Sequence, residues 1–425
     1  MSPTGRRRVL FIAEAVTLAH AARVHALADA LDPARFDVCV AVDGRYDALF
    51  GPVRYRKRPI ASIASERFAD AIARGAPVYD VETLSAYVDD DLRAIAGFEP
   101  DVVVGDFRLS LSVSARVADT PYLTITNAGW SPFADIRFVV PDLPLNRWLG
   151  VGLAQRVFDV VRPIAFAAHA RPVNRLRSRH GLAPLAADIR ATYTDADSIL
   201  YADLPELFSM RTMPESHAFL GPVQWSPALP VPAWWDRLPR DEPVVYVTLG
   251  SSGRSSVLPT LIDALSVLPL SVVVATAGRV DLPFVPSNVH VSSYLPGDVA
   301  ATRAALVVCN GGSPTCYQAF AAGRPVIGIP TNLDQYLNMQ AVVSSGAGTM
   351  LRPVGLDVRT VRDAVESLLA DAGMQARAAD LQRAIAASSP VDRLSEAIDA
   401  AASRADGSSA RRTPEAVHAD AVATP

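Results

Sequence analysis

The sequence contains little cysteine, with only Cys39, Cys309 and Cys316 in 425 residues. Three thiols without a Cys-x-x-Cys spacing predict neither a disulfide framework nor a zinc site. Cys39 and Cys309 lie in apolar, strand-like runs, where unpaired thiols are usually buried. Since unpaired thiols persist in reducing compartments, we expect a cytoplasmic protein.

The sequence also lacks a long hydrophobic run. No window reaches the roughly 18 uninterrupted apolar residues that a membrane-spanning helix requires. Three arginines at residues 6–8 precede a short apolar run, as in a signal peptide, but Glu14 interrupts that run at once. We therefore expect neither a transmembrane segment nor export, while transient contact with a membrane stays open.

An excess of positive charge is absent as well, since the formal net charge is −4. Without a basic field, the chain is not expected to bind nucleic acid. Hydrophobic residues make up 50% of the chain and charged residues 20%, which supplies enough apolar material for compact cores. A length of 425 residues exceeds one typical domain and predicts two.

Short β-branched runs alternate with helix-like segments in both halves of the chain. Such alternation predicts parallel strands joined by helices, so the expected fold class is α/β with two doubly wound, Rossmann-like sheets. Strands are expected at residues 9–13, 36–42, 101–105 and 122–126, and again at residues 244–249, 271–276, 289–291, 305–309 and 326–329. Ligands of two such sheets bind where the carboxyl ends of the strands face a common cleft.

A proline-rich segment between the two halves marks the domain boundary. We therefore predict an N-terminal, acceptor-binding domain at residues 1–221, a linker at 222–242 and a C-terminal domain at 243–404. Residues 405–425 are small and polar, and we expect them to be disordered.

Two segments have more than one interpretation. Residues 148–168 form an apolar helical stretch, which we interpret as a buried helix rather than as a helix on a membrane surface. Residues 89–91 are three consecutive aspartates, but neighbouring residues of a helix point in different directions. We interpret them as a solvated helix face and expect no metal site.

The most informative segment is residues 307–335, where an apolar run ends in a turn of small residues and a helix-like stretch follows. Gly311 and Gly312 allow the backbone to approach a ligand closely. Ser313 and Thr315 lie where a helix N-terminus offers free N–H groups and a positive dipole end. Such a turn suits a phosphate group, with an ordinary strand-to-helix crossover as the alternative.

The same segment resembles the donor-binding motif of GT-B fold nucleotide-sugar glycosyltransferases, the bacterial macrolide, natural-product and UDP-glycosyltransferase family. Bacterial members typically read His-Gly-Gly-Ser-Gly-Thr-Thr, then Glu two residues on, then Ala-Ala-Gly-x-Pro and Asp-Gln. The matching residues here are Gly311, Gly312, Ser313, Thr315, Ala321, Ala322, Gly323, Pro325, Pro330, Asp334 and Gln335. Asn310 and Gln318 replace the usual His and Glu. The resemblance is strong over residues 243–350, moderate over 1–130 and weak in between.

A sugar or alcohol hydroxyl needs a base to become a good nucleophile, and histidine suits that role near neutral pH. His20 follows the first expected strand at the start of a helix. Residues 11–31 resemble the family's first strand-helix unit, whose Gly-His supplies the base, although Ala19 replaces that glycine. Asp106 follows the strand at 101–105 and matches the family's aspartate that orients the base. Without the resemblance, a histidine at a helix start is more often a capping or packing residue.

The resemblance implies further donor-binding residues. Gly250, Ser251 and Ser252 form a turn after the first strand of the second domain, where N–H and hydroxyl groups can meet a diphosphate. A plain strand-to-helix turn is the alternative. Tyr294 stands where the family often has a tryptophan that stacks on the base, with packing in the core as the competing role.

Three polar residues bear on sugar and ribose recognition. Asp334 and Gln335 suit sugar hydroxyls, with an exposed polar loop as the alternative. Gln318 loses the charge-assisted bond that a glutamate makes to the ribose hydroxyls. We therefore expect thymidine donors to be tolerated better than in a glutamate-bearing enzyme.

The resemblance implies a metal-independent, inverting glycosyltransferase. It would move a hexose or deoxyhexose from a UDP or dTDP sugar to a hydroxyl of a natural-product or lipid-like small molecule. No cofactor is expected besides the nucleotide sugar as co-substrate. The same fold serves wall-precursor transferases and sugar-nucleotide epimerases. Because Asn310 and Gln318 depart from the motif, an inactive, nucleotide-sugar-binding partner protein is a further alternative.

Overall fold

The computed structural model describes residues 5–143, 145–250, 252–280, 282 and 284–410. The strands are β1 (Arg7–Ala13), β2 (Phe36–Ala41), β3 (Arg56–Arg58), β4 (Val102–Asp106), β5 (Tyr122–Thr126), β6 (Ser198–Tyr201), β7 (His217–Phe219), β8 (Val244–Thr248), β9 (Ser271–Ala275), β10 (Val289–Ser292), β11 (Leu306–Cys309), β12 (Val326–Gly328) and β13 (Gly348–Met350). The helices are α1 (Leu18–Ala30), α2 (Ser65–Arg74), α3 (Val81–Phe98), α4 (Leu111–Val117), α5 (Leu145–Arg179), α6 (Ile189–Tyr193), α7 (Leu258–Leu265), α8 (Gly297–Arg303), α9 (Ser313–Ala321), α10 (Leu333–Ser345), α11 (Val358–Ala370), α12 (Ala372–Ala386) and α13 (Pro390–Ala410).

The strands form two parallel sheets, as the alternation of elements predicts. The first has the order β3-β2-β1-β4-β5-β6-β7 and the second the order β10-β9-β8-β11-β12-β13. In each sheet the direction of winding reverses once, between β1 and β4 and between β8 and β11. Ligands of doubly wound sheets bind beyond the carboxyl ends of the strands at such a reversal. The α/β fold class predicted from the sequence is confirmed.

The central strands are apolar along their whole length because helices cover both faces of each sheet. In β1, Val9 to Ala13 are completely buried, and so are Val102 to Val104 in β4. Residues 222–242 join the domains without regular structure, apart from one 3-10 turn at Trp235–Arg237. None of the described helices is long and apolar enough to span a membrane.

The last helix does not follow the predicted division of the chain. Leu394 and Ile398 of α13 are fully buried in the core that contains β1 and α1 of the first domain. Residues 390–404 therefore pack with the N-terminal domain, although the sequence places them in the C-terminal one. The helix also extends through residues 405–410, which were expected to be disordered. Residues 411–425 of that tail lie outside the described residues.

Two other interpretations of the sequence are wrong. Helix α5 exists, but it is not a buried helix over 148–168, because Trp148 is 86% exposed and Val160 73% exposed. Residues 89–91 are not a uniformly solvated face, since Asp91 is completely buried. The Asp91 carboxylate accepts hydrogen bonds from Arg108, Ser110 and Ser114.

Candidate active site

His20 and Asp106 meet at the carboxyl edge of the first sheet. Asp106 is the last residue of β4, and His20 is the third residue of α1, the helix that follows β1. Because β1 and β4 are adjacent parallel strands, both residues lie at the same sheet edge. The Nδ1 atom of His20 is 2.7 Å from Asp106 Oδ1, with the Asp106 side chain 1% exposed and that of His20 20% exposed.

This geometry suits a base that is held by its second nitrogen. Since Asp106 engages Nδ1, the Nε2 atom of His20 is left to accept a proton from a substrate. Phe107 stacks on the imidazole with ring centroids 4.7 Å apart and planes 7° from parallel. Phe107 has a φ angle of +55°, a left-handed conformation that costs a residue with a side chain about 1–3 kcal/mol. The strained backbone places the aromatic ring against the His20 imidazole.

A polar path that sequence reasoning missed connects this pair to the second domain. Arg23, one helical turn after His20, places Nη1 3.5 Å from Asp106 Oδ2. The Nη2 atom of Arg23 donates to Asn127 Oδ1 at 3.1 Å, and Asn127 Nδ2 donates to Ser313 Oγ at 3.2 Å. In the sequence, the i, i+3 spacing of His20 and Arg23 on one helix was the feature that could have indicated that the two side chains are neighbours. Ser313 is the first residue of α9, so the path ends at the predicted phosphate turn.

A buried carboxylate ties α9 to the first domain. Asp203 accepts a hydrogen bond from the backbone N–H of Ala128 at 2.6 Å and from the Tyr317 hydroxyl at 3.0 Å. Tyr317 lies on α9, whereas Asp203 and Ala128 belong to the first domain. Burial raises the pKa of the Asp203 carboxyl above its ordinary value, and its hydrogen bonds oppose that rise. These contacts fix the N-terminus of α9 opposite the His20–Asp106 pair.

The predicted phosphate turn has the expected backbone. Gly311 adopts a φ of +76°, and Gly312 is the N-cap residue of α9. Ser313 is 8% exposed, and Thr315 is half-buried in the first turn of the helix. The N–H groups of such a first turn have no acceptor within the helix, so they can bind an anion.

The two amides predicted to touch the ligand hold a neighbouring loop in this structure. Asn310 Nδ2 and Gln335 Nε2 each lie 3.2 Å from Ser252 Oγ. Asn310 Oδ1 accepts from the N–H of Gly312 at 3.0 Å, and Gln335 Oε1 accepts from the N–H of Thr331 at 2.8 Å. Asn310 and Gln335 are 5% and 2% exposed. Both side chains therefore position the loop after β8 and the turn before α9.

The same loop contains two other predicted donor residues. Gly250 has a φ of +57°, which explains why a glycine stands there. Ser252 is exposed. The Asn310 side chain connects it to the turn, because it donates to Ser252 Oγ and accepts from the N–H of Gly312. Ser251 lies outside the described residues.

The other three predicted residues differ in their surroundings. Tyr294 is 43% exposed and is not part of the core, so its ring is free to stack on a ligand. Gln318 Nε2 donates to the Trp225 carbonyl oxygen at 2.7 Å, which engages that side chain with the linker. Asp334 accepts a 2.6 Å hydrogen bond from the indole N–H of Trp130, a residue of the first domain.

A buried ion cluster adjoins the end of β4, next to the His20–Asp106 pair. Arg108 donates to Asp91 at 3.0 Å and to Glu14 at 3.3 Å, and all three side chains are completely buried. The backbone N–H of Glu14 donates to the carbonyl of Asp106 at 3.1 Å, so the cluster is connected to the strand end that carries Asp106. Burial raises the pKa values of the Glu14 and Asp91 carboxyls, while the charge of Arg108 opposes that rise. Among the described residues, no group of three or more His, Cys, Asp or Glu is arranged to hold a metal ion.

Replacing Gly311 by alanine is expected to destabilise the protein by about 2–4 kcal/mol, since the left-handed φ and overpacking both contribute. A Cβ atom at this position would collide with the Met339 side chain. Gly181→Ala is the matched control, because Gly181 has a φ of +70° but open space around it. We expect it to cost only about 1–2 kcal/mol. Urea unfolding of both variants measures the two losses in the free energy of unfolding. Equal losses would show that a Cβ atom at residue 311 fits beside Met339 without overpacking.

The chain is similar to known families and proteins. A model of the erythromycin biosynthesis protein CIII-like C-terminal domain matches residues 259–398. A PGL/p-HBAD biosynthesis rhamnosyltransferase of Mycobacterium bovis (strain BCG / Pasteur 1173P2) is 50% identical over 376 residues, which cover 88% of this chain and 84% of the relative. A protein of the same strain named an inactive PGL/p-HBAD biosynthesis glycosyltransferase is 46% identical over 260 residues, which cover 61% of this chain and 71% of the relative.

Solved structures agree with the fold. The spinosyn rhamnosyltransferase SpnG complexed with thymidine diphosphate has a TM-score of 0.67 and 19% identity, covering 92% of this chain and 99% of that one. At that identity the likeness shows the GT-B fold alone. With 50% identity to the rhamnosyltransferase over most of both chains, this protein is a GT-B glycosyltransferase and belongs to the family of the mycobacterial PGL/p-HBAD biosynthesis glycosyltransferases.

Proposed function

We propose that the enzyme transfers a hexose or deoxyhexose, with inversion, from a UDP or dTDP sugar to a hydroxyl of an apolar, natural-product or lipid-like acceptor. One observation carries the proposal. The His20–Asp106 pair of the first domain faces the N-terminus of α9 in the second domain, and the Arg23–Asn127–Ser313 path joins them. These contacts support a base in the first domain and an anion-binding turn in the second that face each other.

The chemistry follows from that placement. His20 Nε2 removes the proton of the acceptor hydroxyl as its oxygen forms a bond to the anomeric carbon. The bond from that carbon to the diphosphate oxygen breaks, and its electron pair leaves with the nucleoside diphosphate. One displacement inverts the anomeric configuration. Asp106 stabilises the imidazolium that forms, because its carboxylate lies against Nδ1.

The leaving diphosphate is proposed to bind at the first turn of α9. Its negative charge is matched by the helix dipole and by N–H groups that have no intrahelical acceptor. The proposal includes neither a metal ion nor a cofactor besides the nucleotide sugar. A deoxyhexose is supported by the rhamnosyltransferase relative, and a thymidine nucleotide by the thymidine diphosphate complex of the structural neighbour.

The proposed acceptor is apolar because an aromatic cluster reaches His20 through Phe107. Phe107, which stacks on His20, also packs against Phe68, Tyr79 and Tyr193, with ring centroids 5.6–6.4 Å apart. A hydroxyl carried on an aromatic or aliphatic group would be held against this layer, whereas a free sugar would leave its polar groups unpaired. The intact His20–Asp106 pair supports an active enzyme over an inactive binding partner.

The donor assignment is tested by titrating the protein with dTDP, UDP and thymidine while following the melting temperature. A nucleotide at 100 times its Kd is expected to stabilise the folded state by about 2.7 kcal/mol. Both diphosphates should stabilise the protein, and thymidine much less, because it lacks the diphosphate that α9 would bind. Equal effects of dTDP and thymidine would contradict a phosphate site at α9.

The variant Gln318→Glu tests how the nucleotide is distinguished. A carboxylate at this position gains a charge-assisted bond to the 2′-hydroxyl of uridine, which thymidine sugars lack, so we expect the ratio of UDP to dTDP affinity to rise by about tenfold. Gln318→Met is the control, since it also removes the donor to Trp225 but adds no charge. If Gln318→Glu and Gln318→Met give the same ratio, Gln318 does not contact the ribose.

A further inference from the structure

Helix α5 exposes apolar side chains that have no partner in the described chain. Trp148 is 86% exposed, Val160 is 73% exposed and Ile164 is 68% exposed, and Leu153 and Val161 are each about half exposed. Four of these residues, at 153, 160, 161 and 164, follow the spacing of one helix face. The opposite face packs against the protein through Phe166, Ala170 and Val173, which are buried.

The charge on α5 has one predominant sign. The helix contains seven arginines and a single acidic residue, Asp159. Arg156, Arg171 and Arg175 are exposed, and none of them forms an ion pair with any of the residues that the structure describes. On the helical projection Arg171 and Arg175 continue the face of Val160 and Ile164 toward the C-terminal end of α5. The exposed face therefore combines aliphatic groups with unpaired positive charge.

We propose that this face of α5 docks the enzyme on the surface of an anionic lipid bilayer. Helices that lie in a membrane interface bury aliphatic and aromatic side chains at the acyl boundary and keep arginines at the headgroups. Anionic headgroups complement the unpaired arginines. A second copy of this chain would bring the same basic face against itself, which like charges oppose. Charge complementarity thus favours a lipid surface over self-association.

The same helix contributes to the wall behind the base. Its residues His169, Pro172 and Val173 line a small cavity together with Phe107, whose ring stacks on His20. Docking through the exposed face of α5 would therefore hold the aromatic layer around His20 close to the lipid surface. The docking inference itself does not depend on the proposed reaction, since binding to lipid can be measured without substrate.

Sedimentation with vesicles tests the proposal on the full chain. The wild type is expected to bind vesicles of phosphatidylcholine with about 30 mol% phosphatidylglycerol, and to bind pure phosphatidylcholine vesicles much more weakly. The double variant Val160→Glu/Ile164→Glu should lower the partition coefficient by at least about tenfold, because two aliphatic contacts are lost and two like charges are added. The double variant Arg171→Gln/Arg175→Gln should lower it by about fivefold for each arginine, on the anionic vesicles only.

Val267→Glu provides the matched control, since Val267 is 64% exposed and lies outside α5. It should bind vesicles as the wild type does, and circular dichroism should show that all variants keep the wild-type melting temperature. Equal binding of the wild type to anionic and neutral vesicles would overturn the proposal, and so would unchanged binding by Val160→Glu/Ile164→Glu. Ultracentrifugation without lipid supplies a further test, because a wild-type dimer that the double variant disperses would assign the face to a second copy.

Discussion

Replacement of His20 by alanine is expected to lower kcat by about 100- to 10,000-fold, the usual contribution of a positioned general base. The Nδ1 atom of His20 lies 2.7 Å from Asp106, whose side chain is nearly inaccessible to solvent, so Nε2 is the ring nitrogen left to accept the proton of the substrate. Nucleotide binding should stay close to that of the wild type, because the turn at Gly311 and Gly312 belongs to the other domain. Steady-state kinetics and nucleotide titration of the same preparation measure both quantities.

Two controls separate loss of the base from general damage. His180→Ala removes an exposed histidine and should leave kcat unchanged. Asp106→Asn should keep the fold but lower kcat strongly. The amide N–H of an asparagine can donate to Nδ1, which leaves the ring proton on Nε2, and Nε2 can then no longer accept the proton of the substrate. A His20→Ala variant with near-wild-type turnover would exclude this residue as the base.

Replacement of Arg108 by methionine is expected to destabilise the protein by about 3–5 kcal/mol, since it leaves two buried carboxylates without a compensating charge. Glu14, Asp91 and Arg108 are completely buried, so water cannot replace the lost partner. Arg93→Met is the control, because Arg93 is 66% exposed and its ion pair with Asp90 lies at the surface. That substitution should change stability by no more than about 0.5 kcal/mol.

The pH dependence of Arg108→Met follows from the same burial. In the wild type, burial already raises the pKa values of Glu14 and Asp91, and loss of the arginine charge should raise them further. The folded state then binds more protons than the unfolded state, so stability is gained as the pH falls and lost as it rises through the raised pKa values. The deficit of the variant should therefore shrink from pH 8 to pH 5. A deficit that grows over that range would show that the carboxylates are stabilised by groups other than Arg108.

The sheets were predictable because parallel strands have local signatures. Each observed strand from β8 to β12 lies within one or two residues of an apolar run in the sequence. Burial was less predictable, since it depends on partners that are distant along the chain. Asp91 is buried because Arg108, seventeen residues later, reaches its carboxylate. The apolar face of α5 was expected to be covered, but composition does not reveal whether a neighbouring element exists to cover it.

The predicted division into domains is wrong at its C-terminal end, again because packing depends on partners that are distant along the chain. Helix α13 is amphipathic, and any apolar surface of suitable shape could receive it. Only the fold shows that Leu394 and Ile398 enter the core of the first sheet. An apolar stripe on a helix predicts that the helix packs, but it does not identify the domain against which it packs.

The candidate site was predictable where a residue's role follows from its place at a strand end. His20 was the candidate because it follows the first strand at a helix start, Asp106 because it also matches the aspartate of the family that the sequence resembles, and the structure brings the two into contact. Arg23 and Asn127 were missed because their connection to Ser313 forms only when the two domains come together. For Asn310 the motif predicts a ligand contact, and the structure adds a role that the motif does not reveal, since the side chain caps its own turn and holds Ser252.

The most direct test is product analysis after incubation of the enzyme with a dTDP-activated deoxyhexose and an apolar acceptor that carries one free hydroxyl. We predict one glycoside for each dTDP released, with the anomeric configuration inverted in the NMR spectrum of the product, and formation of that glycoside about 100- to 10,000-fold more slowly by His20→Ala. Release of dTDP without an acceptor, an epimerised sugar nucleotide, or a glycoside with retained configuration would contradict the proposed transfer.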